Sequence, residues 1–192
     1  MKSVLISIRP QWVEKIASGQ KTIEVRKTAP QEVPFKAYIY ESRNGGHRCK
    51  HCNEKDSCYS YAPKNVGCYN GSGKVIGEFI CNNASELDYV YYWNNGYEFA
   101  TCLTYRQVAD YGKGKTLYGW HISDLKIYDR PKELNEFKKT KEKIARTCGM
   151  QARNGLCCAI DHEELCDNIK CCFKTPCPPQ SWCYVEDLGE EK

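Results

Sequence analysis

Gly19-Gln20-Lys21-Thr22-Ile23-Glu24-Val25-Arg26 is the most legible stretch of this sequence. From Thr22 to Lys27 apolar and polar residues alternate with period two. A strand follows in which Ile23 and Val25 face a core while Thr22, Glu24 and Arg26 share the other face. Just before it, Gly19 supplies the left-handed residue that ends a helix. That helix opens at Pro10, where a missing N–H is tolerated, and places Trp12, Val13, Ile16 and Ala17 on one face. Val4 to Ile8 precedes it as a first strand.

Further along, Ala37–Glu41 reads as a strand and Lys74–Cys81 as another. Residues 45–73 between them lack apolar periodicity and read as an insertion, with Gly71-Ser72-Gly73 as a hinge. Thr104 and Gln107 have capping-box spacing, for a short helix ending near Gly112. Leu117–Tyr128 is strand-like, with Tyr118, Trp120 and Ile122 on one side and His121 on the other. A lone histidine there reads more readily as structural than as a general base. Leu134 and Phe137 begin an amphipathic turn, and Trp182–Val185 has strand composition and could return to the sheet. The pattern predicts an α+β fold, a small β-barrel or curled sheet with short flanking helices. It would comprise a core over residues 1–130, an insertion at about 45–73, and an extension over 131–192.

A length of 192 residues and a mass of 22.1 kDa suit one domain with an appendage, or two small domains. With 41% hydrophobic and 27% charged residues, full disorder is excluded. Apolar runs such as Val4-Leu5-Ile6 fall far short of the roughly 20 residues needed to span a bilayer. The first ten residues are too briefly apolar for a secretory signal, so a cytoplasmic protein is expected. The net charge of +4 is modest, but residues 1–36 hold seven Lys/Arg against three Asp/Glu, and residues 37–73 five against three. Such a field could attract a phosphate-bearing ligand or could be a solvated basic face.

Fourteen cysteines are abnormal for a chain without an export signal, and they turn the reading from disulfides towards metal thiolates. Cys49, Cys52, Cys58 and Cys68 crowd the insertion, with His47 and His51 as alternative ligands. Four such ligands can close a tetrahedral structural zinc site. A second set, Cys148, Cys157 or Cys158, Cys166 and Cys171 or Cys172, with Cys177, Cys183 and His162 nearby, offers a second zinc site or a disulfide frame. Closed sulfur-rich sites leave no open coordination position, so neither set reads as catalytic.

The Gly-x-Lys-x-x-Glu-x-Arg pattern of residues 19–26, the strand–Pro–helix before it and the strand around Tyr118–Ile122 resemble the ASCH domain family. The resemblance suggests a cysteine-rich bacterial or phage-type member. It implies a PUA-like β-barrel with helices over its openings, and a cleft lined by the signature's lysine, glutamate and arginine. That superfamily is associated with RNA and modified-nucleotide recognition. Small bacterial members hydrolyse N-acetylated cytidine, and ribonuclease activity has been attributed to others.

Taken alone, Glu24 and Arg26 fit a surface ion pair worth roughly 0–1 kcal/mol; with the resemblance, they become candidate ligand residues. Arg9 or Arg26 could fork onto a phosphate or base edge, and Glu24 could accept from an exocyclic amine or a ribose hydroxyl. Tyr38, Tyr40 and Trp120 could stack on a base or could be core. Lys21, desolvated near Arg26, would have a lowered pKa, as a nucleophile or base requires. As an enzyme the chain would use Lys21 with a carboxylate. The amidohydrolases, however, carry threonine where this chain has Glu24, and Glu78, Glu98 and Asp110 are the other carboxylates considered. No phosphate-binding glycine loop, His-Glu-x-x-His or Gly-x-Ser-x-Gly occurs. Three functions follow: an RNA- or nucleotide-binding module, a hydrolase, or a zinc-stabilised protein-interaction module.

Overall fold

Strand β1 (Lys2–Ile8) carries apolar residues on both sides, because both its faces are covered. Val4, Ile6 and Ile8 enter one core with Phe35, Ile39, Phe79 and Trp120, while Leu5 on the reverse face enters another with Tyr38, Val75 and Phe137. The computed structural model describes residues 1–43, 71–87, 96–140 and 178–189.

From β1 the chain passes through helix α1 (Pro10–Ala17) and strand β2 (Ile23–Arg26) to strand β3 (Phe35–Glu41), which lies parallel to β1 with Leu5 opposite Tyr38. Strand β4 (Val75–Cys81) runs antiparallel to β3, and the short strand β5 (Ala84–Glu86) follows it. Helices α2 (Tyr97–Thr101) and α3 (Tyr105–Gly112) lead to strands β6 (Tyr118–His121) and β7 (Ser123–Lys132). A 3-10 turn at Leu134–Glu136 comes next, and strand β8 (Trp182–Val185) lies antiparallel to β1.

Among the described residues these strands form two sheets, in the orders β7-β4-β3-β1-β8 and β2-β6-β5. The expected α+β arrangement of a small barrel or curled sheet with short helices is met as α+β, with the strands in two sheets that share a core and no closed barrel among the described residues. The expected continuous strand over 117–128 divides at Ile122, so β6 serves the small sheet and β7 the large one. Trp120 bridges the layers, wholly buried, with its ring edge-to-face against Phe35 at 5.0 Å and Trp182 at 5.6 Å.

Local signals match the elements they specify. Gly19 has φ +75°, and α1 buries Pro10, Val13 and Ile16. Thr104 and Gln107 form the reciprocal capping box that starts α3. Gly71 packs flat on the Ser42 carbonyl, where a Cβ would come within 2.2 Å of that oxygen. The backbone N–H groups of Ser72 and Gly73 both donate to Glu41. The expected hinge is a seat that fixes the end of β3.

Residues beyond β8 are tied to β3. Tyr38 donates its hydroxyl proton to Asp187 and accepts from the Leu188 N–H at 3.1 Å, while Lys36 reaches Asp187 at 3.1 Å. Burial alone would raise the Asp187 pKa, but hydrogen bonds from Tyr38, Lys36 and the Gly189 N–H outweigh it and hold the carboxyl below its ordinary value of 3.8. A carboxyl more acidic when folded than unfolded stabilises fully above its unfolded pKa, and that contribution is lost as pH falls through the folded value. Asp187→Asn is therefore expected to flatten the loss of stability below about pH 4, as read from urea midpoints across a pH series.

Candidate functional site

Glu24 and Arg26 alternate with Ile23 and Val25 as the period-two pattern requires, yet all four residues of β2 are buried. The polar face of this strand turns inward, towards the end of β1. Lys21 sits between Gly19 and β2 and is 2% exposed, Glu24 6% and Arg26 8%, so the expectation of a surface ion pair is corrected to a buried cluster.

Its geometry is closed on one side and open on the other. The Lys21 ammonium donates to the Ile23 carbonyl at 2.8 Å and the Thr101 carbonyl at 2.6 Å, and lies 3.4 Å from Glu24 Oε2. Glu24 Oε1 lies 3.0 Å from Arg26 Nη2, which also donates to the Ser7 carbonyl at 2.7 Å. Both oxygens of Glu24 are thus engaged by cations. Burial lowers the Lys21 pKa, with Glu24 pulling the other way and Arg26 reinforcing the drop.

α2 is held to this cluster twice, through the Thr101 carbonyl and through the Thr22 N–H, which donates to the Ala100 carbonyl. The Lys21 ammonium also lies 5.5 Å from the Trp12 ring centroid. On the β1 side, Ser7 donates its hydroxyl to the Pro179 carbonyl at 2.6 Å and its N–H to the Ser181 carbonyl. One residue therefore joins Arg26 to the segment that leads into β8.

These side chains border a hollow of about 1030 Å³. Arg9, Lys21, Glu24 and Arg26 all line it, as do Trp12, Gln107 and Tyr111. Counting Arg43 and Glu133, which also line it, four cations face two carboxylates. The hollow is therefore formally cationic.

Two of the aromatic candidates are elsewhere. Tyr38 is 1% exposed on the reverse face of the large sheet, against Phe137 at 4.9 Å, and does not line the hollow. Trp120 is at the centre of the core with no accessible ring face. Both are corrected from stacking candidates to packing residues. Trp12 and Tyr111 take that place: each lines the hollow, and Tyr111 is partly exposed, with Lys27 at 4.9 Å from its ring centroid. Nothing in the sequence separated these two from ordinary amphipathic helix residues. Glu78, Glu98 and Asp110 do not line the hollow, and Glu78 instead accepts from the Tyr128 hydroxyl. His121 is likewise absent from its lining, and burial lowers its pKa.

Cys49, Cys52, Cys58, Cys68, Cys148, Cys157, Cys166 and Cys171 lie outside the described residues. Among the described residues, Cys81 and Cys102 are free thiols. No helix among the described residues is long and apolar enough to cross a membrane.

The chain matches no protein-family model and no curated protein. Its three-dimensional course does have counterparts. The ASCH protein of Zymomonas mobilis superposes with a TM-score of 0.55 at 19% identity, covering 96% of this chain and 88% of that one. A Tyr→Phe variant of it gives 0.55 at 18% identity, covering 97% and 91%. A Ser→Ala variant gives 0.54 at 18%, covering 96% and 89%. Despite the low identity, the arrangement of strands and helices in this chain is the ASCH fold.

Proposed function

We propose that the hollow beside β2 binds RNA or a nucleotide. One observation carries this reading: a buried Lys21–Glu24–Arg26 cluster borders a cationic concavity whose mouth holds partly exposed aromatic rings. In this reading Arg26 and Arg9 meet phosphate or a base edge, Glu24 orients Arg26, and Trp12 and Tyr111 offer ring faces to a base. Lys21 acts as a positioning residue, because its ammonium is directed at two backbone carbonyls and Glu24. The same engagement makes an amidohydrolase or ribonuclease built on Lys21 the weaker reading, since a nucleophile or base needs a free lone pair.

Anisotropy titration of a short single-stranded RNA at several salt concentrations tests the proposal. Affinity is expected to fall as salt rises, and Arg9→Ala to reduce the slope of log K against log salt by about one. Salt-independent binding, or no binding of either this RNA or a nucleoside monophosphate, would overturn it.

We also propose structural zinc at Cys49, Cys52, Cys58 and Cys68, and a second zinc within the set containing Cys148, Cys157, Cys166 and Cys171. The thiol count and the Cys-x-x-Cys spacing support this, in the thiol-reducing, cytoplasmic setting that is proposed with it. Metal analysis of the purified chain is expected to return zinc, and a value near zero with all thiols titratable would remove the proposal.

A further inference from the structure

Arg26 is more than nine-tenths buried, yet it is not saturated. Its Nη2 serves Ser7 and Glu24, while its Nε–H has no hydrogen-bond partner among the described residues. A guanidinium N–H left unpaired in a buried setting is costly, because the group has given up water without replacement. A second group at the same hollow has the same status: the Ser42 hydroxyl is shielded and unpartnered. Both residues line one cavity, and both can donate.

Their surroundings favour an anion there. The Glu24 carboxylate would repel one, but Lys21 and Arg26 hold both its oxygens, leaving the three-residue cluster with one surplus positive charge. Ser42 is held in place: its N–H donates to the Ile8 carbonyl, and Gly71 packs against its own carbonyl. Arg43, the next residue, lies over Gly73, where any Cβ would collide with its guanidinium at 2.3 Å. The end of β3 thus brings Ser42 and a second arginine, Arg43, to the lining of the hollow that Arg26 also lines.

We infer that Arg26 Nε and Ser42 Oγ are the donors of a phosphoryl seat, with Arg43 at its edge, so that the ligand of this hollow is a phosphorylated nucleotide rather than a bare nucleoside. This rests on the nucleotide reading proposed above and adds its recognition of phosphate. The phosphoryl oxygen can belong to a mononucleotide or to the backbone of a strand. In both cases it takes the same two donors.

Calorimetric titration with the four ribonucleosides, their 5′-monophosphates, inorganic phosphate and a short RNA lacking terminal phosphates tests it. The Arg26 Nε–H resonance is followed in parallel by NMR. A monophosphate or the RNA is expected to bind at least about tenfold more tightly than any nucleoside, the gain typical of hydrogen bonds to a charged group. Arg26→Lys keeps the charge and removes Nε, and it should erase that preference. Ser42→Ala, a milder change that leaves the β2 cluster intact, should reduce it severalfold. Preference for a monophosphate over RNA identifies the mononucleotide as source, and the reverse identifies the strand. Inorganic phosphate that shifts the Arg26 resonance while no nucleotide or RNA binds more tightly than it would support the seat and remove the nucleotide reading. Equal affinity for nucleosides and monophosphates, with the Arg26 resonance unmoved by phosphate, would overturn the seat and leave nucleoside binding standing.

Discussion

Glu24→Gln is expected to destabilise the protein by about 3–5 kcal/mol, more than the loss of Lys21 itself, because it leaves two buried cations without a carboxylate. Glu24 stands between Lys21 at 3.4 Å and Arg26 at 3.0 Å, and all three side chains are less than one-tenth exposed. Lys21→Met, by contrast, leaves Glu24 and Arg26 as a balanced pair. Its cost is two carbonyls, Ile23 and Thr101, deprived of a donor, together about 2 kcal/mol or somewhat more. Urea unfolding of the two variants reads the order directly, and a reversed order would show that the cluster is not organised around its carboxylate. The glutamine variant carries a further signature. Burial lowers the Lys21 pKa, and without Glu24 nothing in the triad opposes that shift. The unfolded chain then holds its proton to higher pH than the folded one. Stability of Glu24→Gln should therefore rise as pH climbs towards 10.5, the ordinary lysine value.

Trp120→Ala is expected to cost about 3–5 kcal/mol, the range for removing a large aromatic from a packed core. The ring is 0% exposed, touches Phe35 and Trp182 edge-on, and joins the two sheets. Trp120→Phe keeps much of that packing, and its folded fraction should bind RNA as the parent does. Tyr111→Ala should do the opposite, leaving the melting transition nearly unchanged while weakening RNA by about 1–3 kcal/mol for one lost stacked base. Should Trp120→Phe weaken binding with the fold intact, the placement of the indole away from the ligand would be wrong.

The features readable before the coordinates are those decided within a few residues. Pro10 and Gly19 bracket a helix, Thr104 and Gln107 cap another, and alternation marks β2, because each signal depends on backbone geometry local to it. Burial of the polar face of β2 was not readable, since it depends on Ser7 and Thr101 coming from distant elements. Two of the three aromatic candidates fail for the same reason, whereas Tyr40 does line the hollow. Tyr38 and Trp120 look identical in sequence to exposed strand aromatics, and only the parallel pairing of β3 with β1 and the division of the strands into two sheets put them inside. Trp12 occupies a helix position that reads as core, yet the cavity opens beside it. Ser42 carries no pattern at all; its role follows from its position at the end of β3 beside Arg43 and Gly71.

The pairing of β1 with β8 also bears on synthesis. Leu5 is synthesised long before Cys183, yet they are neighbours in the finished sheet. Until β8 has been synthesised, one edge of β1 stays open to any extended peptide, which makes nascent chains still lacking β8 the species most in need of a chaperone.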